Sequence, residues 1–143
     1  VSDADLSTAD PVAEVIWHLK NDPAVEEALG GPGHVSGTPR DPFPHVVVKI
    51  GSTGQLEQLR ATIGHEVTVE FYGPMDGSLG PAEMWRLYMV VLTSITRMAD
   101  RDHPAGHPVV HNSRVQGGTP DQPLSTGQRR YTGTVFIKLG LVQ

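Results

Sequence analysis

Three histidines stand four residues apart, at His103, His107 and His111. By type they are the residues best suited to hold a metal. On one helical face an i, i+4 histidine pair presents two imidazoles to a single ion, as in zinc proteases. Pro104 and Pro108 directly follow the first two, however, and a residue before proline is driven away from α conformation. No glutamate lies between His103 and His107 to act as a base. The segment therefore reads as histidines on an exposed loop, and a small His-dependent metalloenzyme stands as the rival functional class.

Other chemistry is thinner. Glu66 and Glu70 flank Thr68 on one side of an alternating segment; paired carboxylates can do acid–base work, but a solvated sheet face carries the same ladder. Gly30-Gly31-Pro32-Gly33 matches a phosphate-cradling loop in glycine content alone, since no Lys-Ser or Lys-Thr follows; a helix C-terminus running into a turn explains it better. There is no Gly-x-Ser-x-Gly nucleophile elbow. The chain has no cysteine, which removes disulfides, thiolate nucleophiles and thiolate metal sites together. Catalytic, cofactor and metal residues are thus not assigned.

Residues suited to contact another macromolecule are easier to name. Trp17 and Trp85 each lie off the centre of a helical apolar stripe, where aromatics cover a core edge or anchor an interface. Met84, Met89 and Met98 read as core or interface filler. Arg129 and Arg130, beside Tyr131, make a weak phosphate footprint on an acidic chain and suit a strand start or a salt bridge between subunits. The polar stretch Gln116–Gln128, containing Thr119 and Asp121, reads as a long loop, and loops on a rigid sheet carry most recognition.

The elements that position these groups follow from periodicity. Asp10-Pro11 opens a helix whose stripe is Val12, Val15, Ile16 and Leu19, and Asp22-Pro23 opens a shorter one that ends at Gly30-Gly31. Pro32, Pro39, Pro42 and Pro44 punctuate a loop with a short extended piece at His34–Ser36. His45–Ile50 is a β-branched strand, Gly51–Gly54 a turn, and Gln55–Ile63 ambiguous, with Leu56, Leu59 and Ile63 at helical spacing. Val67, Val69 and Phe71 alternate in the next strand. A helix from Pro81 carries Met84, Leu87, Tyr88, Val91, Ile95 and Met98. Val109–Val115 and Arg130–Leu141 close the chain as strands, the last burying Tyr131, Gly133, Val135, Ile137, Leu139 and Leu141 on one side. The order lacks regular βαβ alternation. The expected fold is α+β: a mixed, mainly antiparallel sheet of about four strands, two main helices on one face, and a long terminal β-hairpin.

At 143 residues the chain is expected to form one domain over 1–143, frayed over 1–9. Sixteen acids against eleven bases give net −5, which argues against tight duplex binding. No apolar run approaches the ~20 residues needed to cross a bilayer, so no membrane partner is expected. The charge is split: residues 1–76 hold 12 acids and 4 bases (net −8), residues 77–143 hold 4 acids and 7 bases (net +3). Such a protomer suits front-to-back packing, because heterologous contacts need two different complementary patches.

Several pieces, in this order, resemble the tail terminator proteins of long-tailed, non-contractile phages. They are the opening helix Pro11–Lys20; Asp22-Pro23-Ala24-Val25 leading to Leu29-Gly30-Gly31; the proline-flanked strand Pro42-Phe43-Pro44-His45-Val46-Val47-Val48; the strand Val67–Phe71; the helix Ala82–Met98; and Arg130-Tyr131-Thr132-Gly133-Thr134-Val135. The resemblance implies a virion protein, assembled in the host cytoplasm, that forms a homo-oligomeric ring, usually a hexamer. Such a ring caps the tail tube, offers its other face to the head-completion or neck protein, and lets DNA pass through its lumen without specific binding. It implies no enzymatic activity, no catalytic residues and no cofactor. The stretches 116–128 and 51–64 depart from a compact version of the pattern, and contacts to neighbouring protomers or the tube are expected there. Another neck or tail-tube subunit is the nearest alternative.

Overall fold

The structure, a computed structural model, describes residues 9–57, 62–102, 104–119, 124 and 127–142. Helix α1 spans Pro11–Lys20 and α2 Pro23–Leu29; a 3-10 turn at Pro32–His34 leads into strand β1, Val35–Ser36. Strands β2 (His45–Glu57) and β3 (Thr62–Tyr72) precede helix α3 (Pro81–Thr96), a 3-10 turn at Met98–Asp100, and strands β4 (Pro108–Thr119) and β5 (Arg130–Val142). The aspartate–proline pairs start both early helices as their chemistry dictates. Asp10 Oδ1 accepts from the Val12 and Ala13 amides at 3.0 and 3.2 Å, Asp22 Oδ1 accepts from the Ala24 amide at 2.9 Å, and each proline supplies a first helical residue that needs no amide partner. Gly30, at φ 97°, ends α2 in the left-handed region that favours glycine.

The sheet order is β1-β2-β3-β5-β4, antiparallel throughout except for the short β1–β2 pair. All the helices cover one face. Val15 and Leu19 of α1, and Met84, Leu87, Tyr88, Val91, Leu92 and Ile95 of α3, bury against Val46, Val48, Val67, Val69, Phe71, Tyr131, Val135, Ile137 and Leu139. The opposite face carries Lys49, Glu66, Thr68, Glu70, Thr134, Phe136 and Arg114, as period-two alternation requires.

The mixed α+β architecture agrees with the sequence reading, and several boundaries differ. Helix α3 stops at Thr96, so Met98 is buried from the 3-10 turn that follows and not from the helix. Gly51–Gly54 is not a turn: β2 runs on to Glu57, absorbing the glycines through register shifts between Ile50 and Ser52 and between Thr53 and Leu56. A Cβ at Gly51 would sit 2.9 Å from the Glu66 carbonyl oxygen, so glycine is what lets β2 approach β3 there. Leu56 and Ile63 are cross-strand partners, not helical neighbours. Strand β4 continues to Thr119 opposite Thr132, shortening the loop expected from Gln116. Finally, β1 makes a fifth strand from the piece marked as extended at His34–Ser36. Residues 1–8, Leu59, His103 and Asp121 lie outside the described residues.

Candidate functional site

Two features stand out: a buried polar cluster beneath α1, and an apolar ridge on α3 that nothing among the described residues covers.

The cluster begins with Glu14 and His18, one helical turn apart on α1 and both buried. The Glu14 carboxylate accepts from Arg101 at 2.8 Å and from His107 Nδ1 at 2.8 and 3.1 Å. His18 has its tautomer fixed by its surroundings. Its Nε2–H must donate to the Ser94 carbonyl, 2.9 Å away, so Nδ1 is left to accept from Arg101 Nη1 at 2.9 Å. Burial, assisted by the Arg101 charge, holds this imidazole below its ordinary pKa despite the Ser94 carbonyl. The Ser94 hydroxyl donates to Asp22, which Arg97 also pairs at 3.0 Å. Burial raises the Asp22 carboxyl pKa, but the hydrogen bonds from Ser94, the Ala24 amide and Arg97 outweigh it and hold that pKa below the usual range. Trp17 roofs the cluster, its ring 4.3 Å from that of His107 and 5.3 Å from the Arg101 guanidinium.

This network ties α1 to the segment entering β4. Glu14, His18, Asp22, Ser94, Arg97, Arg101 and His107 each have a protein partner in it, which fixes the geometry of the joint. His107 is spent on Glu14, and His111 lies on β4 against Gly140. Among the described residues no group of three or more His, Cys, Asp or Glu is placed to hold a metal ion.

The ridge is built differently. Trp85, Met89, Thr93 and Thr96 recur at helical spacing on α3, beside the stripe that packs on the sheet. Trp85 is 48% exposed and Met89 39%, whereas Met84 and Met98 are buried. Between this ridge and β4 lies a groove of about 290 Å³ lined by Tyr88, Leu92, Val115, Gly117 and Gly118. A second, of about 500 Å³, runs along the other side of the ridge, towards Ala24 and Arg97. Trp85 leans on Tyr88 and Tyr131, with ring centroids 5.7 and 6.4 Å away, and Tyr88 is fixed by donating to the Thr132 carbonyl at 2.7 Å. The glycines form the groove floor: a Cβ on Gly118 or Gly133 would strike the Tyr88 hydroxyl.

The remaining residues named from sequence scatter. Gln128 is buried, donating to the Gly73 carbonyl at 2.8 Å, while the Gly73 amide donates to the Arg129 carbonyl at 2.9 Å. Arg130 lies 3.8 Å from Glu70. Glu70 is itself a correction, being buried between Lys49 (2.8 Å) and Arg130 where a solvated position was expected. Thr119 ends β4, paired with Thr132. Sequence reasoning missed Glu14, His18 and Arg101 as a unit, although the i, i+4 spacing of the first two was a usable signal; Arg101 is remote in sequence and gave none. No helix among the described residues is long and apolar enough to cross a membrane.

Comparison with known proteins adds the fold. No family model matches the chain, and no curated protein matches it in sequence. A solved chain from the structure described as "Virion of native gene transfer agent (GTA) particle" matches with TM-score 0.64 at 15% identity, covering 92% of this chain and 95% of that one. The two share a fold over nearly their whole lengths.

Proposed function

We propose that this chain is a structural protein of a phage-like virion, acting as a tail terminator. Copies close into a ring, six on this reading, that caps the tail tube, ends its polymerisation and presents a docking face to the head or neck. DNA traverses the lumen without being read. The observation that carries the reading is the end-to-end fold likeness to a chain of a gene transfer agent virion. The order of sequence pieces resembling tail terminators supports it independently.

The chemistry is that of assembly, and no bond is made or broken. An acidic chain suits a DNA conduit, since a net-cationic lumen would retain the polyanion. The exposed ridge of Trp85 and Met89 suits a protein that finishes its core against a neighbour. The test is tube growth in vitro with and without the full chain, imaged by electron microscopy. The reading expects a cap at one tube end and arrested elongation. Unchanged elongation with bare ends contradicts it, and incorporation along the tube wall identifies a tube subunit instead.

A further inference from the structure

We infer that the groove between α3 and β4 is a socket for the β2 edge of a second copy of this chain, joined head to tail. The inference rests on the self-assembly reading above and names the seam.

The argument comes from the register. Strands β2 and β4 lie towards opposite margins of the sheet. Strand β1 covers β2 only at Val46 and Val47, so the outer edge of β2 beyond them has no strand partner among the described residues; neither has the outer edge of β4. Ile50 is paired with Val67, and Val115 with Val135. Val67 and Val135 are fully buried on the helix-covered face, so Ile50 and Val115 point to that face too. Both are nevertheless exposed, at 52% and 37%, because each sits where its own sheet stops. Three antiparallel steps separate β2 from β4, so the two strands run in opposite directions. A neighbour generated by rotation about an axis along the strands therefore brings its β2 antiparallel to β4. In that arrangement Ile50 enters beside Val115, beneath Met89 and Trp85.

Charge agrees on the other face. Glu66 and Arg114 both pair with Phe136, so they share the helix-free face, and both are exposed. Arg114 stands on β4 with its guanidinium 4.4 Å from the Phe136 ring centroid, and Glu66 stands one strand in from the β2 edge. Aligning Val115 with Ile50 sets Arg114 beside Gly51, whose missing side chain leaves the path towards Glu66 open. The margins thus match in shape on one face and in sign on the other. The wider split, net −8 before residue 77 and net +3 after it, has the same polarity. Exposed edges invite this pairing.

The test uses the absence of cysteine from this sequence. The full-length double variant Ile50→Cys/Val115→Cys is oxidised at graded concentrations and run on denaturing gels, with each single variant alongside. Opposed residues of an antiparallel pair lie within disulfide reach. The double variant is expected to give a ladder of linked copies and the single variants none. As a second measurement, Ile50→Asp and Met89→Asp each weaken self-association at least roughly tenfold, because a carboxylate would enter an apolar socket. Mixed together, they recover a 1:1 dimer through their one intact seam. Linked dimers from a single variant mean a symmetric contact and overturn the seam. So does wild-type assembly that persists unchanged in both aspartate variants, although the ring reading then survives. Wild-type protein that stays monomeric at every concentration, with no ladder from the double variant, removes the ring reading itself.

Discussion

Glu14→Ala is the substitution whose cost is set most plainly by the geometry. Glu14 is 3% exposed and receives both Arg101 and His107 at 2.8 Å. Truncating it leaves a guanidinium and an imidazole facing an emptied, apolar position under Trp17. Removing one partner of a buried pair costs about 3–5 kcal/mol, because the remaining charge is left without compensation. The Arg101 side chain is 15% exposed and can turn partly to water, so the lower end, about 3 kcal/mol, is expected. That corresponds to a fall of roughly 6–12 °C in melting temperature. The internal control is Glu83→Ala. Its pair with Arg86 is shorter, at 2.6 Å, but the two side chains are 58% and 44% exposed, so no measurable change is expected. Urea unfolding of both variants, with Arg101→Met and the Glu14→Ala/Arg101→Met double variant closing a cycle, is the assay. Costs within about 0.5 kcal/mol of each other for Glu14→Ala and Glu83→Ala would refute the argument that burial, not distance, sets the strength of these pairs.

Three further outcomes follow from the same contacts. His18, His45 and His65 are all held below the ordinary imidazole pKa of 6.5, chiefly by burial, so the unfolded chain takes up protons at a higher pH than the fold does. Stability is therefore full above about pH 6.5 and declines as pH falls towards the folded values; urea midpoints that do not drop between pH 7 and 5 would contradict this. Gly118→Ala drives a methyl into the Tyr88 hydroxyl and the Thr132 carbonyl, so it should destabilise by about 1–3 kcal/mol, whereas Gly117→Ala, with open space, should not; thermal melts of the two distinguish them. Asp10→Ala removes both amide contacts at the start of α1 and should cost about 1 kcal/mol in denaturant unfolding, with Asp10→Asn nearly neutral.

The sequence carried the elements further than it carried the site. Aspartate–proline starts, the stripe of α3 and the alternation of β5 are local signals, and each element formed where its pattern stood, save that α3 stops at Thr96 and leaves Met98 to the 3-10 turn. The failures at Gly51–Gly54 and Gln116 share a cause: glycine-rich stretches read as turns in isolation. Cross-strand pairing with Glu66 and Thr132 keeps them in the sheet, and only the partner strand reveals that. The exposed ridge was half legible. Trp85 was visible as an aromatic beside its stripe, while Met89 read equally as core or interface filler, and only the packing of α3 leaves it 39% exposed. The cluster around Glu14 was legible only in the i, i+4 spacing of Glu14 and His18, because its other members come from α3 and the approach to β4, up to 93 residues from Glu14. Burial of Glu70 was hidden for the same reason: Lys49 and Arg130 flank it only once the strands are aligned.

Assembly with copies of itself, on which the proposed function stands, is read out by native mass measurement across a concentration series. A closed species at an integer multiple of 15.4 kDa, six on the present reading, is expected to be favoured over open intermediates as concentration rises. A single 15.4 kDa species at every concentration, with or without tail tubes present, would contradict it.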